Sequence, residues 1–122
     1  MTLRYLVFDF SEDALGHGSF DAMACAAPDQ RPALEAEVVA VLDWAHRAFP
    51  QARAPLEEGG EWDYALHGLL ETARPLSVDY EFGGTRLRMQ PGPPGPPRLT
   101  LDFTLTGAPP FCEAFRSAFD IS

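Results

Sequence analysis

Arg98-Leu99-Thr100-Leu101-Asp102-Phe103-Thr104-Leu105-Thr106 alternates apolar and polar residues without a fault. Successive side chains of a strand point to opposite faces, so Leu99, Leu101, Phe103 and Leu105 share one face and Arg98, Thr100, Asp102, Thr104 and Thr106 the other. The stretch is therefore a strand with one dry and one wet side. A sheet of such strands needs a cover on its dry face only, which sets the question for the flanking sequence.

Downstream, Gly107-Ala108-Pro109-Pro110 leads into a closing helix. Phe111, Phe115 and Phe119, with Ala114 and Ala118, form its apolar stripe; Glu113, Arg116, Ser117 and Asp120 lie outside it and Cys112 at its margin. Upstream, Pro91-Gly92-Pro93-Pro94-Gly95-Pro96-Pro97 lacks a sustained collagen repeat and reads as a stiff, polyproline-like connector. Its place between two strands of one domain disfavours a role as a free docking peptide.

Before the connector comes a hairpin. Ser77 to Phe82 and Thr85 to Gln90 flank Gly83-Gly84, a two-residue turn signal. That register sets Tyr80 against Leu87 and Val78 against Met89 on an apolar face, and Glu81 against Arg86 and Asp79 against Arg88 on a charged face. A one-residue slip loses both charge pairs.

The first half supplies the remaining elements. Leu3 to Phe10 is apolar on both alternating faces, the pattern of a central strand covered on both sides. Ser19 to Ala26 reads as a second strand, antiparallel to it across the loop from Ser11 to Gly18. Asp29 and Pro32 open a helix in which Leu34, Val38, Val41, Leu42, Ala45, Ala48 and Phe49 share a face; Asp43 and Arg47 form an i,i+4 pair opposite, Glu35 and Glu37 suit its N-terminal dipole, and Pro50 stops it. Glu61 to His67 alternates as a strand, although Leu66, Leu69, Leu70 and Ala73 also fit a helix; Gly68 weakens a helix and in a strand suggests a bulge. The expected fold is one α+β domain over residues 1–122, ordered β-β-α-β-β-β-β-α. It is a two-layer sandwich of five to six mainly antiparallel strands with two helices on one face.

Composition bounds function. The 122 residues carry a net charge of −9, with 46% hydrophobic and 22% charged residues, an ordinary globular balance. A surplus of carboxylates argues against nucleic acid and anionic membranes, both of which select Lys and Arg. Lys and Asn are absent and Ile occurs once, a codon bias of GC-rich, chiefly bacterial, genomes that lowers the weight of each Arg as a functional signal. The short apolar start, broken by Asp9, lacks the features of a secretory leader, and the expected compartment is the cytoplasm. Cys25 and Cys112 have no metal or redox spacing and are expected to be structural.

No phosphate loop, nucleophile elbow, HExxH or EF-hand pattern occurs, and no cofactor is expected. Three constellations are candidates. His17, between two glycines and near Glu12, Asp13 and Asp21, has the makings of an oriented general base, although turns call for the same Gly and Asp residues. Glu57, Glu58, Glu61 and Asp63 are oxygen donors for a cation or simply a solvated acidic loop. Trp62, Tyr64 and His67 stand beside those acids, and Trp62 and Tyr64 share a strand face that is either core or an aromatic binding patch. Without a catalytic signature, the chain reads as a non-enzymatic protein-binding module of the inhibitor or immunity kind, with a basic protein partner and homodimerisation as a compatible addition. The alternative is a small-molecule or enzyme pocket near Trp62, Tyr64 and His17.

Overall fold

The structure, a computed structural model, describes residues 1–121; Ser122, the last residue of the expected domain, lies outside them. The elements are β1 (Asp9–Glu12), β2 (Gly18–Ala26), α1 (Arg31–Ala48), β3 (Trp62–Glu71), β4 (Leu76–Asp79), β5 (Arg88–Pro91), β6 (Arg98–Gly107) and α2 (Pro109–Ala118). The class is α+β and the element order is the one the sequence predicts. The strands, however, form a four-stranded sheet β1-β2-β6-β3 and a separate two-stranded ribbon β4-β5.

The faultless alternation becomes the centre of the main sheet. β6 pairs antiparallel with β2 from Gly18↔Gly107 to Ala26↔Leu99, and with β3 from Trp62↔Gly107 to Glu71↔Arg98. Both neighbours oppose β6, so β2 and β3 run parallel to each other and cannot be joined by a tight turn. α1 supplies the crossover, and α2 follows β6 onto the same face. Between the layers lie Phe20, Ala22, Ala24, Phe103, Leu105 and Trp62 of the sheet, with Leu34, Val38, Val41 and Ala45 of α1 and Phe111 and Phe115 of α2.

Two opposed glycines let α2 approach. A Cβ on Gly18 would meet Cys112 Sγ and the Phe10 ring, and one on Gly107 would meet the ring of Phe111. The Gly18↔Gly107 pair thus leaves the space into which the first turn of α2 seats Phe111 and Cys112. Gly68 lies opposite Leu101 in an unbroken ladder, so β3 is a regular strand with no bulge.

The N-terminal segment departs from expectation. Only Asp9–Glu12 is a strand, and it lies at the sheet edge against β2. Residues 3–8 leave the sheet, and Leu3, Tyr5, Leu6 and Phe8 close the rim of the sandwich while Val7 is exposed: Leu6 is buried, and the Phe8 ring meets Phe20, Phe103 and Phe115 edge-on at centroid distances of 6.5, 5.8 and 5.4 Å. In place of strand partners, the N–H groups of Arg4, Tyr5 and Leu6 donate to the Glu37 carboxylate at 2.8, 3.0 and 3.0 Å. Apolar residues on both faces of this segment therefore mark a cover, not a central strand. Glu37 is accordingly buried rather than tuned to the helix dipole.

Smaller corrections follow from local geometry. Gln30, not Asp29, precedes α1, and its side chain turns back to accept the Ala27 N–H at 3.0 Å. The i,i+4 ion pair of α1 is Arg31–Glu35 at 3.1 Å rather than Asp43–Arg47. Cys112 is buried, as a structural thiol should be, whereas Cys25 is exposed on the open face, 3.3 Å from Thr100 Oγ1. No helix among the described residues is long and apolar enough to cross a membrane.

Candidate functional site

β3 and β6 are two limbs of one long hairpin, and only its base lies in the sheet. Beyond Glu71↔Arg98 the limbs continue as β4 and β5, which pair with each other alone, from Leu76↔Pro91 to Asp79↔Arg88. Proline explains the break: Pro75 precedes β4, Pro91 ends β5, and Pro93, Pro94, Pro96 and Pro97 follow it, where missing N–H groups cannot extend the ladder. The six residues 92–97 face the four residues 72–75, which shifts the register by two between base and tip. Gly92 and Gly95 N–H groups donate to Pro75 and Ala73 carbonyls at 2.7 and 2.8 Å and hold the limbs together.

Along the tip, the predicted register is the observed one for Val78↔Met89 and Asp79↔Arg88, but the turn is displaced. Gly84 N–H donates to Glu81 O at 3.2 Å, so Phe82 and Gly83 are the central residues. Gly83 has φ 87, which a type II turn needs at that position and a side chain resists. Arg88 donates to Glu81 Oε2 at 3.0 Å instead of pairing with Asp79 across the ladder.

Among the described residues, nothing covers the face expected to be dry. Every residue from 65 to 91 is exposed. Leu76, Val78, Tyr80, Phe82, Leu87 and Met89 stand on the arm, with Tyr80 75% and Phe82 92% exposed; at its root Leu66 and Leu70 are exposed on the face of β3 that carries Trp62 and Tyr64, and Leu69 on the opposite face. Single exposed hydrophobic residues are ordinary; a set of this size on one hairpin is not. Sequence reasoning found the face and its register but assumed that the helices would cover it. The bracketing prolines were the signal that the hairpin would leave the sheet.

The residues singled out in the sequence lie at the opposite end of the sheet. His17 and Glu57 border an open cleft of about 600 Å³, together with Glu12 and Asp13, so the fold brings two acidic loops side by side. Asp13 serves the loop itself: its Oδ1 accepts the N–H groups of Leu15 and His17, each at 2.9 Å, and Oδ2 lies 3.6 Å from His17 Nδ1. Glu58 and Glu61 are exposed, and Asp63 is paired with Arg53 at 3.1 Å. Among the described residues, no three His, Cys, Asp or Glu side chains are grouped to hold a metal ion.

Trp62 does not reach the cleft. It is fully buried, stacks on Phe111 at 5.6 Å, and its indole N–H donates to Phe49 O at 3.4 Å. Tyr64 is half-buried, with the Arg53 guanidinium 4.8 Å above its ring. The aromatic pair is thus core and core margin, which removes the aromatic wall of the expected pocket. Cys112 lines a separate, smaller cavity beside Phe10 and Arg116; burial pushes its thiol above the ordinary pKa, and its Sγ lies 3.3 Å from Gly107 O. No family model matches the chain, and neither a curated protein nor a solved structure is similar to it.

Proposed function

We propose that this chain is a non-enzymatic protein-binding module whose contact element is the β4-β5 arm. The observation that carries the reading is the uncovered apolar face from Leu76 to Met89, standing away from a core that is already complete without it. A two-stranded ribbon is at best marginally stable in water by itself, so an arm of this kind gains order when its face is covered. The acidic remainder of the chain would steer a basic partner into encounter. The reading places the protein in the cytoplasm, a reducing compartment suited to the unpaired Cys25 and Cys112.

The small-molecule or enzymatic alternative is the weaker one, because of His17, Trp62 and Tyr64 only His17 borders the open cleft.

The test is a binding comparison between the wild-type chain and a Val78→Ser, Leu87→Ser, Met89→Ser chain. Protein captured by the first should be rebuilt as a complex from purified components, or found to be the chain itself. Binding that survives the triple substitution, or a ligand-induced rise in melting temperature abolished by His17→Ala, would count against the arm.

A further inference from the structure

We infer that the outer edge of β3 is the contact of a symmetric dimer, in which the β3 strands of two copies pair antiparallel about His67 and join their sheets into one. β3 ends the order β1-β2-β6-β3, so one of its sides has no strand beside it. The two backbone groups of a strand residue point to one side and those of its neighbour to the other. Trp62 O accepts the Ala54 N–H at 3.1 Å and Tyr64 N–H donates to Asp63 Oδ1 at 2.9 Å, so the even-numbered residues of β3 face outward. Residues 52–54 close this edge at Trp62, and the strand ends at Glu71. Between those stops the C=O of Tyr64 and both backbone groups of Leu66, Gly68 and Leu70 have no partner among the described residues. Free edges are ordinarily blunted by shortness, charge, proline or a bulge. β1 is short and carries Asp9 and Glu12, and the arm is bracketed by prolines. From Tyr64 to Leu70, β3 has a regular ladder with no Asp, Glu, Arg or Pro.

The symmetry of the edge identifies its occupant. The open stretch, 63–71, is centred on His67, so two copies that pair over its full length place the two-fold axis there. Leu66 and the partner's Gly68 then exchange both hydrogen bonds. Leu70 N–H donates to the carbonyl of the partner's Tyr64, and the Asp63 carboxylate keeps its bond to Tyr64 N–H. Side chains match in size across the axis. On the helix side Leu66 stands beside the partner's Gly68 and Leu70 beside the partner's Tyr64; on the open side Leu69 stands beside the partner's Ala65, and His67 meets the partner's His67. Leu66, Leu69 and Leu70, 36%, 57% and 57% exposed in the single chain, leave water together. Every residue from 65 to 71 is exposed, so neither helix overhangs the approach. The one like-charged pair, Asp63 with the partner's Glu71, falls at the two ends, where Arg53 lies 3.1 Å from Asp63 and Arg98 opposes Glu71 in the ladder. A foreign strand could satisfy the backbone groups, but a second copy also sets small residues against large ones by symmetry.

The experiment reads both the mass and the register. Sedimentation of the full chain over a micromolar concentration series should show a species of twice the chain mass, which tightens as salt screens the two acidic bodies. Leu66→Pro removes an outward N–H and leaves the ladder to β6 intact; it should raise the dissociation constant at least about 100-fold. Leu66 is outside the core, and unchanged far-ultraviolet circular dichroism would verify that the variant folds. On the axis, facing residues of a non-hydrogen-bonded pair bring their Cα atoms to about 4.5 Å, within disulfide range. With Cys25→Ser in place, His67→Cys should therefore form a covalent dimer in a glutathione redox buffer. Leu69→Cys, whose counterpart lies roughly 14 Å away along the strand, should cross-link at least about tenfold more slowly. A monomeric wild-type chain at roughly 100 μM, a dimer indifferent to Leu66→Pro, or equal cross-linking at the two positions overturns the inference. A dimer lost in the Val78→Ser, Leu87→Ser, Met89→Ser chain but kept in Leu66→Pro would move the contact to the arm and overturn it as well.

Discussion

Glu37 shows how one side chain can do the work of a strand partner. Its carboxylate accepts the N–H groups of Arg4, Tyr5 and Leu6, and the residue is 8% exposed. Hydrogen bonds to a charged acceptor are stronger than neutral ones, and removing it strands the donors. Glu37→Ala should lower the unfolding free energy by about 3 kcal/mol and Glu37→Gln by less, read from urea denaturation. The position was legible only as an acid beside the stripe of Leu34, Val38 and Val41; its three partners lie more than thirty positions away. Cys112 offers a second check. Burial raises its pKa, so the unfolded chain releases the thiol proton first. Stability should hold below the ordinary thiol range and fall as pH rises through it, and Cys112→Ala should flatten that slope in paired urea titrations. At mildly alkaline pH a thiol reagent should label the exposed Cys25 and spare Cys112 until the chain unfolds.

At the scale of elements, the same hydrophobic pattern has three different fates. β6 alternates and becomes the central strand because both neighbours and both helices meet there. Residues 3–8 are as apolar, yet they cover the rim. The arm alternates as regularly as β6 and is left in water, since prolines at both ends uncouple it from the sheet. Periodicity reports what a segment needs beside it, not whether the chain supplies it. In the Val78→Ser, Leu87→Ser, Met89→Ser chain, the amides of residues 76–91 should exchange with solvent far faster than those of β2 and β6, measured by hydrogen exchange. Where α2 meets the sheet, Gly107→Ala would drive a methyl into the Phe111 ring, at a cost of about 2 kcal/mol, read from the urea midpoint.

Across the whole molecule, the net charge of −9 conceals a basic arm on an acidic body. Association steered by the acidic body should weaken with ionic strength, whereas association through the apolar face of the arm should hold or tighten; binding measured at two salt concentrations separates the terms. By itself the sequence determined the α+β class, the element order, the faces of β6 and both helices, and the register of the hairpin, because local periodicity and nearest cross-strand pairs decide these. Only the tertiary structure decided that Leu3 to Phe8 is a cover, that Trp62 is core while His17 and Glu57 border one cleft, and that the hairpin stands free of the sheet. Each of those depends on which surfaces remain available once the layers have met. A pattern of apolar residues specifies that a face must be buried, but the competition among all faces for a limited core determines which one is left for a partner.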